Sequence, residues 1–134
     1  MRALVRRYSD ALESGDVDAV VALLTEDATW SMPPLPEWYG GHASIATFLE
    51  RGPMRERWRH IATHANGQPA VGCYMWNDEA GGYEAQVIDV LTLRGERIAD
   101  ITAFIGGSWF ARFGLPPVYP EGAGATLGAS PPTS

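Results

Sequence analysis

One acidic residue lies where the sequence pattern predicts an apolar surface. In the run YEAQVIDVLTL, residues 83–93, alternate side chains share one face of a predicted β-strand. The other residues on the face of Asp89 are apolar or aromatic: Tyr83, Ala85, Val87, Leu91 and Leu93. An ionised carboxylate there is costly, so Asp89 must find hydrogen-bond donors, hold a proton with a raised pKa, or both. It is either a satisfied core acid or a pocket acid that donates a hydrogen bond or acts as a base.

A tyrosine in the first predicted helix is the natural partner of this acid. Tyr8 shares an apolar stripe with Leu4 and Leu12, and a buried tyrosine hydroxyl generally needs a hydrogen-bond partner. The alternative is an aromatic core residue that is bonded to the backbone. We therefore expect Tyr8 to lie near Asp89.

The cysteine and the histidines do not form a recognised metal motif. Cys73 is the only cysteine, which excludes an internal disulfide, and its apolar surroundings indicate an inert core thiol. His60 and His64 have a helical ligand spacing, but the segment WRHIATHANG is typical of an extended chain. We expect no metal and no other cofactor.

Apolar periodicity predicts helices in the first half of the chain. Residues 2–14 carry one apolar stripe that ends at Gly15, and Asp16 caps a second helix over residues 17–24. A short strand at residues 28–32 and the loop PPLPEWYGG precede a third helix at residues 42–50.

The second half has a period of two, which is typical of strands. Extended runs are predicted at residues 58–65, 69–76, 83–93 and 97–105, separated by hairpin signals. A short turn of helix is predicted within residues 106–114, and residues 116–134 are predicted to be a disordered tail after a domain of residues 1–115. The predicted fold is α+β, with a cone-shaped, curved antiparallel sheet packed against three N-terminal helices and enclosing a pocket.

Composition and charge exclude several classes of protein. The chain has 134 residues, of which 46% are hydrophobic and 19% charged, as expected for one globular domain. A net charge of −6 with scattered arginines argues against nucleic-acid binding by this chain. The opening residues lack the apolar core of a signal peptide, and no stretch is long enough to span a membrane, so we expect a cytoplasmic protein.

Three segments resemble the bacterial ketosteroid isomerases: RRYSDALESGDVDAVVALLTEDATW, YGGHASIATFLERG and VIDVLTLRGERIADITAF. By this resemblance Tyr8 matches the oxyanion-hole tyrosine of that family, and Asp89 matches its protonated aspartic acid. In that family the two groups donate hydrogen bonds to a developing enolate. The family's general base falls on Met32, whose thioether cannot accept a proton. A replacement base would have to come from Glu37, His60 or His64.

Limonene-epoxide-hydrolase relatives also carry an aspartate where Asp89 lies. The arginine and second aspartate of their triad would fall on Val87 and Ala103, which argues against that route. Apolar side chains are expected to line the pocket for a small hydrophobic molecule: Trp30, Met32, Trp38, Tyr74, Trp76, Val87 and Ala103.

Nearly all of the chain before its tail resembles the SnoaL-like domain at the C-terminus of some extracytoplasmic-function sigma factors. The resemblance rests on DATWSMPPLPEWYGG, ANGQPAVGCY, DVLTLRGERIADITAF and FGLPP. It leaves two functions open, a non-catalytic ligand- or peptide-binding regulatory domain and a free-standing, cofactor-free isomerase, cyclase or epoxide-opening enzyme. The start at Met1 favours the second. The resemblance also implies a homodimer through the sheet surface of Ile88, Val90, Ile98, Asp100 and Thr102.

Overall fold

Three helices form where the apolar residues recur at helical spacing. The computed structural model describes residues 2–65 and 67–120, with helices α1 at Arg2–Ser14, α2 at Val17–Ala22 and α3 at His42–Arg51. The Asp16 side chain caps α2 by accepting a hydrogen bond of 3.0 Å from the Ala19 amide. α2 ends earlier than predicted because Leu24 already begins a strand. No helix within the described ranges is both long and apolar enough to cross a lipid bilayer.

Six strands form one curved, unclosed sheet. In chain order they are β1 Leu24–Ser31, β2 Trp38–Gly40, β3 Trp58–Ala65, β4 Gln68–Asn77, β5 Gly82–Arg94 and β6 Arg97–Ile105. Their order across the sheet is β2-β1-β6-β5-β4-β3. The four strands from β3 to β6 form the predicted antiparallel meander, and every boundary lies within one residue of its prediction.

Three details of the sheet differ from the prediction, and the first is that β1 begins at Leu24 instead of residue 28. β1 pairs in parallel with β6, so the sheet is mixed. This pairing is possible because α3 and the other strands of the meander form the long connection that parallel strands require. The end of the predicted loop forms β2, which pairs with β1 after a turn in which the Leu35 amide donates to the Met32 carbonyl.

The two faces of the sheet bury separate apolar clusters. The inner cluster joins α1, α2 and α3 to the facing side of the sheet and includes Leu12, Val20, Ile45, Val71 and Leu91. The outer cluster lies on the opposite face and consists of Ile61, Ala70, Tyr74, Ile88 and Phe110.

A C-terminal segment covers the outer cluster. It contains the short helix α4, Trp109–Arg112, and the residues that follow it. Gly72 makes this packing possible, because a Cβ atom there would lie 2.6 Å from the Leu115 side chain. The Tyr74 hydroxyl donates to the Pro116 carbonyl at 2.8 Å, and the Tyr119 amide donates to the sheet. Ordered structure therefore continues past the expected boundary at residue 115, and the rest of the predicted tail, residues 121–134, lies outside the described residues.

The expected dimer surface is not the mixed, open face that the alternation predicted. Ile88 is fully buried in the outer cluster under the C-terminal segment. Ile98 is fully buried in the inner cluster, because a register shift between Thr92 and Leu93 changes which residues of β5 and β6 lie opposite each other.

Candidate active site

Asp89 lies in the middle of the sheet with its carboxyl group buried. β5 places it between Val71 of β4 and Ala103 of β6, and its side chain is 3% exposed. Its Oδ2 atom accepts a hydrogen bond of 2.7 Å from the Tyr8 hydroxyl and one of 3.5 Å from the Cys73 thiol. The strand alternation therefore predicted the burial of Asp89, and the helical stripe predicted its partner.

The same alternation fails nearer the start of β5. Tyr83 and Ala85 pack against the outer cluster, whereas Val87 packs against the inner one. The register shift at Cys73 and Tyr74 explains this, because Cys73 pairs with Val87 and Tyr74 with Ala85. One residue of β5 is thus extra, and the face reverses there.

Burial makes the carboxyl group of Asp89 difficult to ionise. Desolvation raises its pKa above the ordinary 3.8, while the bond from Tyr8, the charge of His60 and the bond from Cys73 oppose the shift. Burial, followed by the charge of Asp89, raises the pKa of the Tyr8 hydroxyl and of the Cys73 thiol well above their ordinary values. Both donors therefore stay protonated, and neutral Asp89 is favoured more than in water.

A cavity of about 90 Å³ lies beside Asp89. Most of its walls are apolar side chains from α1, α3 and the inner face of the sheet, and they include four residues predicted to line it: Trp30, Met32, Val87 and Ala103. His60, Cys73 and Asp89 contribute the polar side chains of its wall. Tyr8 is fully buried, is not among the lining residues, and lies behind Asp89 as its hydrogen-bond donor.

His60 has a carboxylate partner that no sequence pattern predicts. Its Nδ1 atom lies 2.9 Å from Oε2 of Glu13, and His60 is 3% exposed. A carboxylate only accepts hydrogen bonds, so it favours the tautomer with the proton on Nδ1 and the lone pair on Nε2. Glu13 on α1 and His60 on β3 are 47 positions apart, and no local sequence signal links them.

Several predicted site residues lie away from the cavity. Trp38 in β2 is 64% exposed, and Glu37 and His64 are also exposed. Tyr74 belongs to the outer cluster, and Trp76 packs on Tyr83. Alternation along β4 explains the last two, because Val71 and Cys73 already occupy the inner face.

The described residues contain no group of three His, Cys, Asp or Glu side chains that could hold a metal ion. The polar groups at the cavity are instead suited to hydrogen bonding and proton transfer. A buried carboxylic acid can donate to an oxygen atom, and an oriented imidazole can accept a proton.

Comparisons with known proteins point to one family and one fold. A family model described as a SnoaL-like domain matches residues 5–101. The ECF RNA polymerase sigma factor SigG of Mycobacterium tuberculosis is 36% identical over 121 residues, which cover 84% of this chain and 31% of SigG. The chain thus spans about a third of the length of that relative.

Solved structures share the fold. A candidate ketosteroid isomerase from Kribbella flavida superposes with a TM-score of 0.64 at 23% identity, covering 78% of this chain and 76% of its own. A candidate polyketide cyclase from Xanthomonas campestris pv. campestris gives a TM-score of 0.58 at 26% identity, covering 84% of this chain and 95% of its own.

Proposed function

The chain belongs to the SnoaL-like domain family, and on that premise we propose that its cavity binds a small hydrophobic molecule through a carbonyl or epoxide oxygen. Asp89 polarises this oxygen in a cofactor-free isomerisation, cyclisation or ring opening, of the kind that tailors secondary metabolites. One observation carries the proposal: Asp89 and His60 face the same apolar cavity, and each is held by a hydrogen-bonded partner.

The oxygen of the ligand binds to Oδ1 of Asp89. Among the described residues, the hydrogen bonds to this carboxyl group all reach Oδ2. When the carboxyl group is neutral, its proton therefore lies on Oδ1 and can be donated to the ligand. Tyr8 is a positioning residue in this scheme, because it holds Oδ2 without lining the cavity.

His60 supplies the base that Met32 cannot. In an isomerisation, its Nε2 atom removes a proton from the carbon next to the carbonyl group. The C–H electron pair forms a new C=C bond, and the carbonyl pair moves onto the oxygen, which accepts the hydrogen bond from Asp89. His60 then returns the same proton to another carbon, so no oxidant or reductant is needed. Glu13 keeps the ring oriented and stabilises its charged form.

Exchange of the α-protons of hexan-2-one in D₂O tests this proposal without knowledge of the natural substrate. Wild-type protein should accelerate exchange above the buffer rate, as followed by ¹H NMR. His60→Gln should lose roughly 10²-fold or more of that acceleration, the usual contribution of a general base. Tyr74→Phe, outside the cavity, is the matched control and should exchange at the wild-type rate. Exchange at the buffer rate with wild-type protein would overturn the catalytic proposal.

A second candidate function is a ligand-binding regulatory domain. The similarity to SigG favours it, since the alignment covers most of this chain and only a third of that sigma factor. The same cavity would then bind a small molecule without turnover. Binding of hexan-2-one at the cavity with no acceleration of exchange is the result that selects this function.

A further inference from the structure

The indole of Trp30 has a buried hydrogen-bond donor without an acceptor. Trp30 is 4% exposed, and its Nε1 atom is the one buried side-chain nitrogen or oxygen of the described residues that has no hydrogen-bond partner. Such atoms are rare, because a buried donor that makes no hydrogen bond loses its hydration without compensation. This nitrogen therefore requires an explanation.

Another tryptophan of the same cavity shows the usual arrangement. Trp58 also lines the cavity, and its Nε1–H donates to the Pro53 carbonyl at 2.7 Å. Outside the cavity, the indole of Trp76 donates to Asp78. The fold thus satisfies these two indoles from within the chain and leaves that of Trp30 for another acceptor.

Trp30 is part of the wall of the cavity that Asp89 also lines. Trp30 lines it, and its ring packs on Phe48 with centroids 5.5 Å apart, which limits its movement. β1 pairs Trp30 with Ile101 of β6, and β5 pairs Asp89 with Ala103 of the same strand. Trp30 and Asp89 therefore lie on the two strands that flank β6, and the small side chain of Ala103 lines the cavity between them.

We propose that Trp30 is a second polar anchor of the ligand and that the ligand carries two separated oxygen atoms on an apolar body. One oxygen binds to Asp89, and the other accepts a hydrogen bond from Trp30 Nε1–H. The two anchors lie on β1 and β5, which are separated by β6 and are therefore two strand spacings, about 10 Å, apart. A single oxygen atom is poorly placed to contact both anchors. This inference rests on the proposed function, because it assumes that Asp89 binds an oxygen atom of a ligand.

Three compounds of equal chain length test the inference: hexane, hexan-2-one and hexane-2,5-dione. The chain contains no lysine, so the dione finds no lysine amine to modify. The ¹⁵N-labelled protein has five indole N–H groups. The Trp30 resonance should move downfield with the dione and stay in place with hexane. The Trp58 resonance is the internal control and should move little, since its N–H already has an acceptor.

A substitution then measures the contribution of this donor. Trp30→Phe keeps an aromatic ring and removes the N–H, and it should weaken dione binding roughly three- to tenfold, the usual effect of one hydrogen bond. Binding of hexan-2-one should stay within about twofold, because Asp89 holds its single oxygen.

The outcomes separate failure of this inference from failure of the proposed function. Shifts of the Met32 and Ala103 methyl signals with the ketones, without a downfield shift of Trp30, would overturn the inference and leave the cavity as a ligand site. Equal weakening of both ketones by Trp30→Phe would also overturn it. If no ketone moves any of these signals, both the inference and the proposed function are wrong.

Discussion

The inner and outer clusters lie on opposite faces of β4 and β5, and they treat polar groups differently. The outer cluster buries aromatic and aliphatic side chains, and the Tyr74 hydroxyl there is bonded to the Pro116 carbonyl. The two buried acidic or basic side chains among the described residues, His60 and Asp89, both lie on the inner side and line a cavity. The outer face therefore stabilises the fold by apolar packing, whereas the inner face contains polar groups whose burial costs free energy.

The largest expected effect is on the outer side. Phe110→Ala should lower the free energy of unfolding by about 3–5 kcal/mol, since a buried ring and its packing against Tyr74 are lost. Urea denaturation measures this loss. The folded fraction should still exchange the α-protons of hexan-2-one at the wild-type rate, and a loss of exchange would contradict the separation of the two faces.

The next effect is on the inner side. Asp89→Asn should reduce the exchange rate of hexan-2-one roughly 10²- to 10³-fold, because an amide is a weaker donor at the developing negative charge. Circular dichroism should show an unchanged fold. Exchange within a few fold of wild type would remove Asp89 from the proposed mechanism.

The same variant should change how stability depends on pH. Because the pKa of Asp89 is raised on folding, the unfolded chain releases this proton at lower pH than the folded protein does. The contribution of Asp89 to stability is therefore full below 3.8 and falls as the pH rises towards its folded pKa. Urea denaturation of both proteins across this pH range measures the free energy of unfolding. It should show the decrease that Asp89 causes in wild type and no such decrease in Asp89→Asn. Parallel curves would contradict the raised pKa.

A smaller effect is expected from the residue behind the acid. Tyr8→Phe removes the hydrogen bond to Oδ2 and should lower the exchange rate roughly three- to tenfold, the usual value of one hydrogen bond. Because that bond lowers the pKa of Asp89, its loss should raise the pKa further. The decrease in rate on the alkaline side of the pH–rate profile should then begin at higher pH. If its position does not change, Tyr8 contributes to packing alone.

The smallest effect is on a hydrogen bond of the outer cluster. Tyr74→Phe should cost about 1 kcal/mol of unfolding free energy, because the Pro116 carbonyl loses its donor. Methyl signals of the cavity residues Met32 and Ala103 should not move. A change in those signals would show that the two faces of the sheet are coupled.

Local patterns predicted most of the fold. The strands from β3 to β6 follow from alternation and hairpin signals, which act between neighbouring residues. Asp89 and Tyr8 could be paired because each lies on the buried face of its own element. These predictions required no knowledge of how distant segments pack.

The predictions that failed depend on contacts between segments that are distant in the sequence. The extra residue in β5 turns Tyr83 and Ala85 to the outer face, and no sequence signal marks it. Apolar character predicts a cavity position for Trp38 and Trp76, but it does not indicate which face of the sheet a side chain occupies. The pairing of Glu13 with His60 depends on where α1 crosses β3.

The pKa of Asp89, measured by carboxyl ¹³C NMR with and without hexan-2-one, tests the central claim most directly. We predict a pKa above 3.8 in the free protein and a further rise with the ketone, since a bound carbonyl oxygen favours the protonated acid. A pKa at or below 3.8 that does not change when the ketone is added would contradict the account.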